Sequence, residues 1–235
     1  MSKPRTIAID GPAASGKSTL ARRLARALHY LYFDTGVLYR AVTWAALQRG
    51  LSPADEDAMT RLAETLDIQV RPPSQDDGRS NDVWVDGRDV TWAVRAPEVD
   101  AWVSVVAAHP GVRRALVDVQ RRIGRQGRVV MVGRDIGTVI LPDADLKIYL
   151  DASTEERARR RYHEARRRGE AVDYASILAA LQERDRLDAG RAVAPLRPAA
   201  DAVVIHSDGL DADAVFRRVM DLIRRRNSAP AEPVP

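Results

Sequence analysis

Thr6-Ile7-Ala8-Ile9-Asp10, a short apolar run, leads directly into Gly11-Pro12-Ala13-Ala14-Ser15-Gly16-Lys17-Ser18-Thr19. The second segment has the pattern G-x-x-x-x-G-K-S, which cradles phosphates when it joins a strand to a helix. The apolar run has the length of a buried strand, and Leu20, Leu24 and Leu28 recur at helical spacing over about 18–28. The motif therefore has the strand and helix that it requires.

The chemistry of this loop predicts a site for a nucleoside triphosphate, spanning residues 11–19. Its glycines let backbone N–H groups turn toward phosphate oxygens, and the helix N-terminus adds partial positive charge. Lys17 is placed to reach the β- and γ-phosphates, and the Ser18 hydroxyl to ligate Mg²⁺. The alternative, a glycine-rich turn that only caps a helix, fits the flanking elements less well.

Outside the loop, short strands alternate with helices, which favours an α/β fold with a parallel five-stranded sheet flanked by helices. Further strands are predicted at 30–33, 129–132, 146–150 and 202–205, and helices at 37–47, 97–108, 112–123, 154–168, 174–187 and 211–226. Pro110-Gly111 is expected to separate two of these helices. Between the predicted helices 37–47 and 97–108, residues 66–95 alternate apolar and polar around Asp86-Gly87, which predicts a small antiparallel insertion.

Composition excludes several classes of protein. The 235 residues contain no cysteine, so disulfides, thiolate metal sites and a catalytic thiol are excluded. No apolar run has the length of a membrane span and residues 1–5 do not resemble a signal peptide, so we expect a cytoplasmic protein. The Pro-rich segment 228–235 is expected to be disordered.

Arginine dominates the basic residues. Of 37 lysines and arginines, only Lys3, Lys17 and Lys147 are lysine, and the net charge is +4. The arginines could form a nucleic-acid surface, or some could hold a nucleotide while the rest are solvated. Because 33 acidic residues are interspersed, we expect no nucleic-acid partner.

Three classes of triphosphate-binding protein can be compared. A GTPase needs Asn-Lys-x-Asp, which no lysine of this chain provides, and a motor-type ATPase commonly ends a later strand with Asp-Glu. The corresponding strand here ends Val132-Gly133-Arg134-Asp135. A small kinase fits better, since a second anionic substrate needs arginines.

Further segments resemble the bacterial cytidylate kinases in order along the chain, from about residue 5 to 223. These segments are Asp34-Thr35-Gly36-Val37-Leu38-Tyr39-Arg40, Arg95-Ala96-Pro97-Glu98-Val99, Ser104-Val105-Val106-Ala107-Ala108, Val112-Arg113, Gly133-Arg134-Asp135-Ile136-Gly137-Thr138, Pro142-Asp143-Ala144, residues 151–161, Glu183-Arg184-Asp185-Arg186, Asp188 and residues 191–196. The resemblance implies Mg²⁺-dependent phosphoryl transfer from ATP to CMP or dCMP. It also implies a single P-loop kinase domain over 1–227, with a core of about 5–35, 112–153 and 196–226. The monophosphate-binding region would be about 36–111, and an Arg-rich lid about 154–170. We expect a monomer.

The resemblance also implies roles for individual residues. The CMP phosphate would be held by Arg40, Arg134 and Arg191, which with Lys17 form the catalytic set. The base would meet Ser104, Arg113 and Asp135, and the ribose Arg184 and Asp188, with Thr35 also in the CMP site. At least one of Arg157, Arg160 and Arg161 would close over the triphosphate.

Simpler interpretations remain open for some of these residues. Asp135 could cap a helix, Arg184 and Asp188 could form an i,i+4 ion pair, and the three lid arginines could belong to a solvated face. Val132 stands where many members carry an acidic residue, and Thr35 and Ala96 replace a common Ser and Thr. The alternative functions are a UMP kinase and a nucleotide- or nucleic-acid-binding regulator without turnover.

Overall fold

The computed structural model describes residues 3–191 and 193–228. The strands are β1 (Thr6–Asp10), β2 (Leu31–Asp34), β3 (Ile68–Arg71), β4 (Asp82–Val85), β5 (Arg88–Asp89), β6 (Val129–Val132), β7 (Leu146–Asp151) and β8 (Val203–His206). The α-helices are α1 (Lys17–Leu28), α2 (Gly36–Gln48), α3 (Glu56–Thr65), α4 (Pro97–Val106), α5 (Pro110–Arg125), α6 (Thr154–Arg167), α7 (Tyr174–Ala189) and α8 (Ala212–Ser228). A 3₁₀ turn covers Ala93–Arg95 and a π-helical turn Ile136–Ile140.

The central sheet is parallel, with the strand order β2-β6-β1-β7-β8. Successive side chains of each strand point to opposite faces of the sheet, so they pack into two different cores. Ala8 and Met131 pack with α2 to α5, whereas Ile7 and Val130 pack with α1 and α8. Both faces are therefore covered by helices, and the predicted five-stranded α/β fold is confirmed.

The predicted antiparallel insertion is also confirmed, as a three-stranded sheet in the order β3-β4-β5. Asp86 and Gly87 turn the chain between β4 and β5 with φ of 49° and 76°. Two consecutive positive φ values are what a tight hairpin turn needs, which is why Asp-Gly is found there.

The sequence analysis misses one helix in this region and misplaces the break between two others. Helix α3 was not expected, although Asp55 caps it by accepting from Ala58 N at 2.9 Å and Met59 and Leu62 are buried at helical spacing. The two helices are separate as predicted, but the break lies at residues 107–109, and Pro110 occupies the first turn of α5, where its missing N–H costs nothing. A Cβ on Gly111 would lie 2.0 Å from Thr60 Oγ1, so this glycine lets α3 and α5 approach closely.

The carboxyl ends of β1, β2, β6 and β7 lie at one edge of the sheet. The loop 11–16 follows β1, Thr35 follows β2, Gly133 to Asp135 follow β6, and α6 begins three residues after β7. Ligands of open α/β sheets bind at this edge, so the topology gathers the predicted site residues there.

Within residues 3–191 and 193–228, no helix has the length and apolarity needed to cross a membrane. The predicted disordered tail begins at Ser228, which the structure places as the last residue of α8. The rest of that tail, residues 229–235, lies outside the described residues.

Candidate active site

A cavity of about 430 Å³ opens at the carboxyl edge of the sheet. It is bounded on one side by the phosphate loop through Ala13, Ala14, Lys17 and Ser18. All nine residues expected to hold the second substrate also line it: Thr35, Arg40, Ser104, Arg113, Arg134, Asp135, Arg184, Asp188 and Arg191. The fold thus brings both predicted half-sites into one continuous space.

Two positions of the phosphate loop require the glycine that the motif has there. A Cβ on Gly11 would lie 2.1 Å from the Leu150 carbonyl oxygen, and Gly16 starts α1 with φ of 94°. Lys17 is buried and donates from Nζ to the Pro12 carbonyl and, at 3.3 Å, to Ser15 Oγ. Burial, with Arg134 next in importance, holds the pKa of Lys17 well below its usual range. A bound triphosphate opposes both effects because its negative charge favours the ammonium.

Oxygen ligands suited to Mg²⁺ meet beside the loop. Ser18 Oγ donates to Asp34 Oδ2 at 3.4 Å, and Tyr32 donates to the same oxygen at 3.3 Å. Asp34 Oδ1 accepts from Gly36 N at 3.0 Å, which orients the carboxylate. No cluster of three or more His, Asp or Glu able to hold a metal occurs among the described residues. This donor set fits Mg²⁺, which commonly takes one or two protein ligands plus phosphates and water.

Thr35 is used by the fold itself. It is buried at the end of β2, and its hydroxyl donates to the Val132 carbonyl at 3.0 Å. Its backbone N–H also donates to that carbonyl, at 3.0 Å. The hydroxyl therefore fastens β2 to β6 at the floor of the cavity.

Three arginines surround the buried carboxylate of Asp188. Arg134 Nε donates to Asp188 Oδ2 at 2.8 Å, and Arg191 donates to Oδ1. Burial, with Arg134 next, lowers the pKa of Arg184 to about 10. The Nε groups of Arg184 and Arg191 are buried and have no hydrogen-bond partner among the described residues. Since Asp188 directs its oxygens to Arg134 and Arg191, the structure does not favour a simple Arg184–Asp188 pair.

Arg40 lies at the rim of the cavity on α2. It pairs with Asp100 and donates from Nη1 to the Val94 carbonyl at 3.1 Å. These contacts tie α2 to the 3₁₀ turn and to α4, so the guanidinium is oriented by that turn and by the helix that carries Ser104.

Arg113 and Asp135 also line the cavity, and they form a buried ion pair through Arg113 Nη2 and Asp135 Oδ2. Arg113 Nη1 also donates to the Ala107 carbonyl at 3.1 Å, and its guanidinium lies 5.5 Å from the ring centroid of Tyr39. Burial lowers the pKa of Arg113, but Tyr39 and Asp135 outweigh it, so the net shift is upward. Asp135 precedes the turn 136–140 and makes no side-chain cap to it within the described structure, so the helix-cap interpretation is not supported.

Residues 7–225 match the family described as cytidylate kinase. This chain belongs to the cytidylate kinase family. Similar proteins named cytidylate kinase occur in Chloroflexus aggregans, 57% identical over 89% of this chain and 90% of the relative. Those of Roseiflexus castenholzii and Herpetosiphon aurantiacus are 54% and 52% identical, over 96% and 95% of this chain and 96% of each relative. As a member of this family, the chain is an enzyme that transfers a phosphoryl group to CMP or dCMP.

The three predicted lid arginines of this kinase all lie on helix α6 but have different surroundings. Arg157 is buried and donates to the Ala13 carbonyl at 3.2 Å, the Ala152 carbonyl at 2.9 Å and both oxygens of Asp185. Arg160 is occupied by Glu156 and by Ser207 beyond β8. Only Arg161 of the three lines the cavity. Arg157 thus braces the phosphate loop, and Arg160 is turned away from the cavity.

Sequence reasoning gave no role to several residues that line the cavity of this kinase. They are Arg22, Tyr32, Asp34, Gly36, Val37, Tyr39, Ser80, Asn81, Val83, Arg95, Val103, Ala107, Val132 and Gly133. Several of these lie in segments that resemble the family, but Ser80, Asn81 and Val83 belong to the insertion. Asn81 reaches the core by donating to the Tyr32 carbonyl at 3.1 Å, a contact between residues 49 apart in the chain. No local pattern signals such a contact.

Proposed function

We propose that this kinase transfers the γ-phosphoryl group of ATP to CMP or dCMP, giving ADP and CDP or dCDP, with the residue roles given below. The observation that carries the proposal is the single cavity that joins the phosphate loop to the Arg134–Asp188–Arg191 group and the buried Arg113–Asp135 pair. A donor and an acceptor nucleotide bound at its two ends would bring their phosphates together at the arginines.

On the donor side, residues 11–19 hold the triphosphate through backbone N–H groups and the N-terminus of α1. Lys17 is already inside the loop and turns its ammonium from Pro12 and Ser15 to the β- and γ-phosphates. Ser18 and Asp34 would hold Mg²⁺, directly or through water. When bound, this ion neutralises charge on the β- and γ-phosphates.

On the acceptor side, Arg40, Arg134 and Arg191 hold and orient the CMP phosphate. The attacking group is a phosphate oxygen that is ionised at neutral pH, so the reaction needs no strong general base. Catalysis is positioning and charge stabilisation, to which Lys17 and the arginines contribute. The unpartnered Nε group of Arg191 supports an anion at this place, because this buried donor otherwise lacks a hydrogen bond.

The base is selected by the buried pair. Asp135 accepts from the cytosine N4 amino group, and Arg113 donates to the N3 and O2 side, together with Ser104, which also lines the cavity. Arg184 and Asp188 meet the ribose. Uracil presents a carbonyl in place of the N4 amino group, so the Asp135 carboxylate would repel it.

Arg161 is the arginine of α6 that we assign to the triphosphate, since it alone of the predicted three lines the cavity. Residues 154–170 would move as a lid over the bound phosphates. Closure excludes water, which would otherwise compete with CMP for the phosphoryl group.

The test is ADP release from ATP and Mg²⁺ with CMP, dCMP, UMP and AMP compared in parallel. We expect CMP and dCMP to give kcat/KM values well above those of the other two. A preference for UMP would make the chain a UMP kinase. ATP binding without turnover of any monophosphate, together with salt-dependent binding of DNA or RNA, would make it a regulator.

We further propose that the enzyme acts as a cytoplasmic monomer in pyrimidine nucleotide metabolism. A single chain supplies every group assigned above, which supports a monomer. Light scattering at the concentration used for the activity assay tests this, and a dimer would contradict it.

A further inference from the structure

Asp10 is a buried carboxylate to which the proposed mechanism gives no role. It is the last residue of β1 and directly precedes Gly11, yet the phosphate-loop motif does not require it. Its side chain points along the sheet edge to the segment after β6, which carries Arg134 and Asp135. The question is what an ionisable group does at a place where an apolar residue would complete the strand.

The two carboxylate oxygens of Asp10 each accept one backbone hydrogen bond. Oδ1 accepts from Ile136 N and Oδ2 from Gly137 N, both at 2.8 Å. These two N–H groups belong to the first turn of the helical segment 136–140. A carboxylate at the start of a helical turn satisfies donors that have no partner within the turn, so Asp10 acts as its cap from another strand.

These bonds bracket Arg134 and Asp135. On one side, the last hydrogen bond between β6 and β1 runs from Gly133 N to the Ile9 carbonyl at 3.1 Å. On the other side, the next fixed points are Ile136 N and Gly137 N on Asp10. Both anchors lie on adjacent residues of β1, so the strand that starts the phosphate loop also fixes the two residues between them.

Keeping the Asp10 carboxylate buried carries a free-energy cost, which argues for a role beyond stability. Burial raises the pKa of Asp10 to about 6, against the lowering effect of the two backbone hydrogen bonds. Asp135 raises this pKa further and Lys17 lowers it. A buried charge is commonly less favourable than a neutral residue of similar shape.

We propose that Asp10 is a positioning residue that fixes Arg134 and Asp135 relative to the phosphate loop by holding the N–H groups of Ile136 and Gly137. The proposal rests on the roles proposed above for Arg134 and Asp135. Strand β1 then positions the binding sites of both substrates, because Asp10 is followed directly by Gly11 of the phosphate loop. Loss of the hydrogen bonds from Ile136 N and Gly137 N to Asp10 would affect the acceptor half-site first.

The chain provides a matched control at the opposite end of β1. There Asp145 Oδ2 accepts from Arg5 N and Thr6 N, both at 2.8 Å, and from Thr6 Oγ1 at 2.9 Å. Asp145 is also a carboxylate that holds backbone N–H groups between elements. It differs from Asp10 in lying at the edge of the sheet away from the cavity.

The test compares Asp10→Asn with Asp145→Asn in kcat/KM for CMP and UMP, KM for ATP, and melting temperature. An Asn can accept from only one of the two N–H groups and places its own NH₂ against the other. We expect Asp10→Asn to lower kcat/KM for CMP by about 10- to 100-fold and to lower the CMP/UMP ratio, because a 1 Å misplacement has effects of this size. KM for ATP should stay within about twofold, and Asp145→Asn should change only the melting temperature.

Each other outcome overturns the proposal. One is an Asp10→Asn enzyme with wild-type kinetics; another is a proportional loss with CMP and UMP, which indicates a merely structural role. A change of the CMP/UMP ratio in Asp145→Asn is a third. If Asp10→Asn does not fold, Asp10→Glu keeps the charge and both acceptors but moves them by about 1.5 Å, and it must lower the same ratio. Wild type that does not phosphorylate CMP would instead refute the proposed function.

Discussion

Lys17 shows how burial and function oppose each other at a single residue. Its ammonium is enclosed by the phosphate loop, and burial together with Arg134 holds its pKa well below the usual range. Such an arrangement is unfavourable without a compensating anion and favourable with one. The residue is therefore in place before the triphosphate binds and loses little freedom when it does.

For Lys17→Ala we expect kcat to fall by at least about a hundredfold, because one charge aimed at the moving phosphoryl group is lost. Circular dichroism and melting temperature serve as the control, and we expect the variant to fold. Turnover close to that of wild type would remove Lys17 from the transfer step.

Asp135 is expected to distinguish cytosine from uracil. In Asp135→Ala the acceptor for the N4 amino group is lost, and the repulsion of the uracil carbonyl is lost with it. The ratio of kcat/KM for CMP to that for UMP should fall by at least about tenfold. An unchanged ratio in a folded variant would leave Ser104 and Arg113 as the only assigned base contacts.

Arg134 and Arg191 share one buried acidic partner. Removing either leaves Asp188 with one partner fewer and also removes a donor from the acceptor phosphate. Arg134→Ala and Arg191→Ala should each weaken transition-state binding by about 2–4 kcal/mol, and Arg40→Ala should act in the same direction. The measurement is kcat/KM for CMP, and normal values in all three variants would place the acceptor elsewhere.

At the scale of elements, α6 and α7 are fastened to the phosphate loop. Ala13 packs with Ala158 of α6 and Leu181 of α7, and Arg157 adds hydrogen bonds from α6 to Ala13 and to Asp185 of α7. The loop is thus supported from outside by two helices. Movement of these helices over bound phosphates would therefore also displace the phosphate loop.

Removal of this support is the prediction for the pair of helices. Arg157→Ala removes the guanidinium from the Ala13 carbonyl and from Asp185, which keeps a bond of 3.4 Å from Thr154 Oγ1. The free energy of unfolding should therefore fall by about 2–3 kcal/mol, and KM for ATP should rise. Arg159→Ala is the matched control, since Arg159 lies two residues along the same helix and is mostly exposed. Equal effects in the two variants, measured by urea unfolding and ATP titration, would contradict the bracing role.

For the whole molecule, Asp10 gives stability a pH dependence of defined sign. Its pKa is about 6 when folded and near the ordinary aspartate value of 3.8 when unfolded. Between these values the folded state holds a proton that the unfolded state has released, so this group favours folding less as pH rises from about 4 to 6. Asp135, Lys17 and Tyr149 are the charged or titratable groups that interact with it.

The comparison of wild type with Asp10→Asn isolates this contribution, since other titrating groups are common to both. Relative to the variant, wild type should lose up to about 3 kcal/mol of unfolding free energy between pH 4 and pH 7. Urea unfolding at several pH values measures the difference. A difference that is constant with pH would show that Asp10 has an ordinary pKa.

The sequence alone determined most of the elements and their chemistry, although helix α3 was not among the predicted ones. Residues 6–28 fixed strand, loop and helix, because burial period, glycines and the Lys-Ser pair are local properties. The Asp-Gly turn of the insertion is local in the same way, as its two positive φ values restrict which residues fit. The ordered segments that resemble the family named the acceptor residues, all of which line the cavity.

Tertiary structure alone decided which of these side chains face one another. The Arg113–Asp135 and Arg134–Asp188 pairs join residues 22 and 54 apart, and Asp10 meets Gly137 across 127 residues. The three predicted lid arginines are nearly equivalent in sequence, yet Arg157 braces the loop, Arg160 binds Ser207 and Arg161 lines the cavity. Parallel strands must be joined by long crossover connections. Contacts at their carboxyl edge therefore join segments that are distant in the chain, and such contacts leave no local pattern in the sequence.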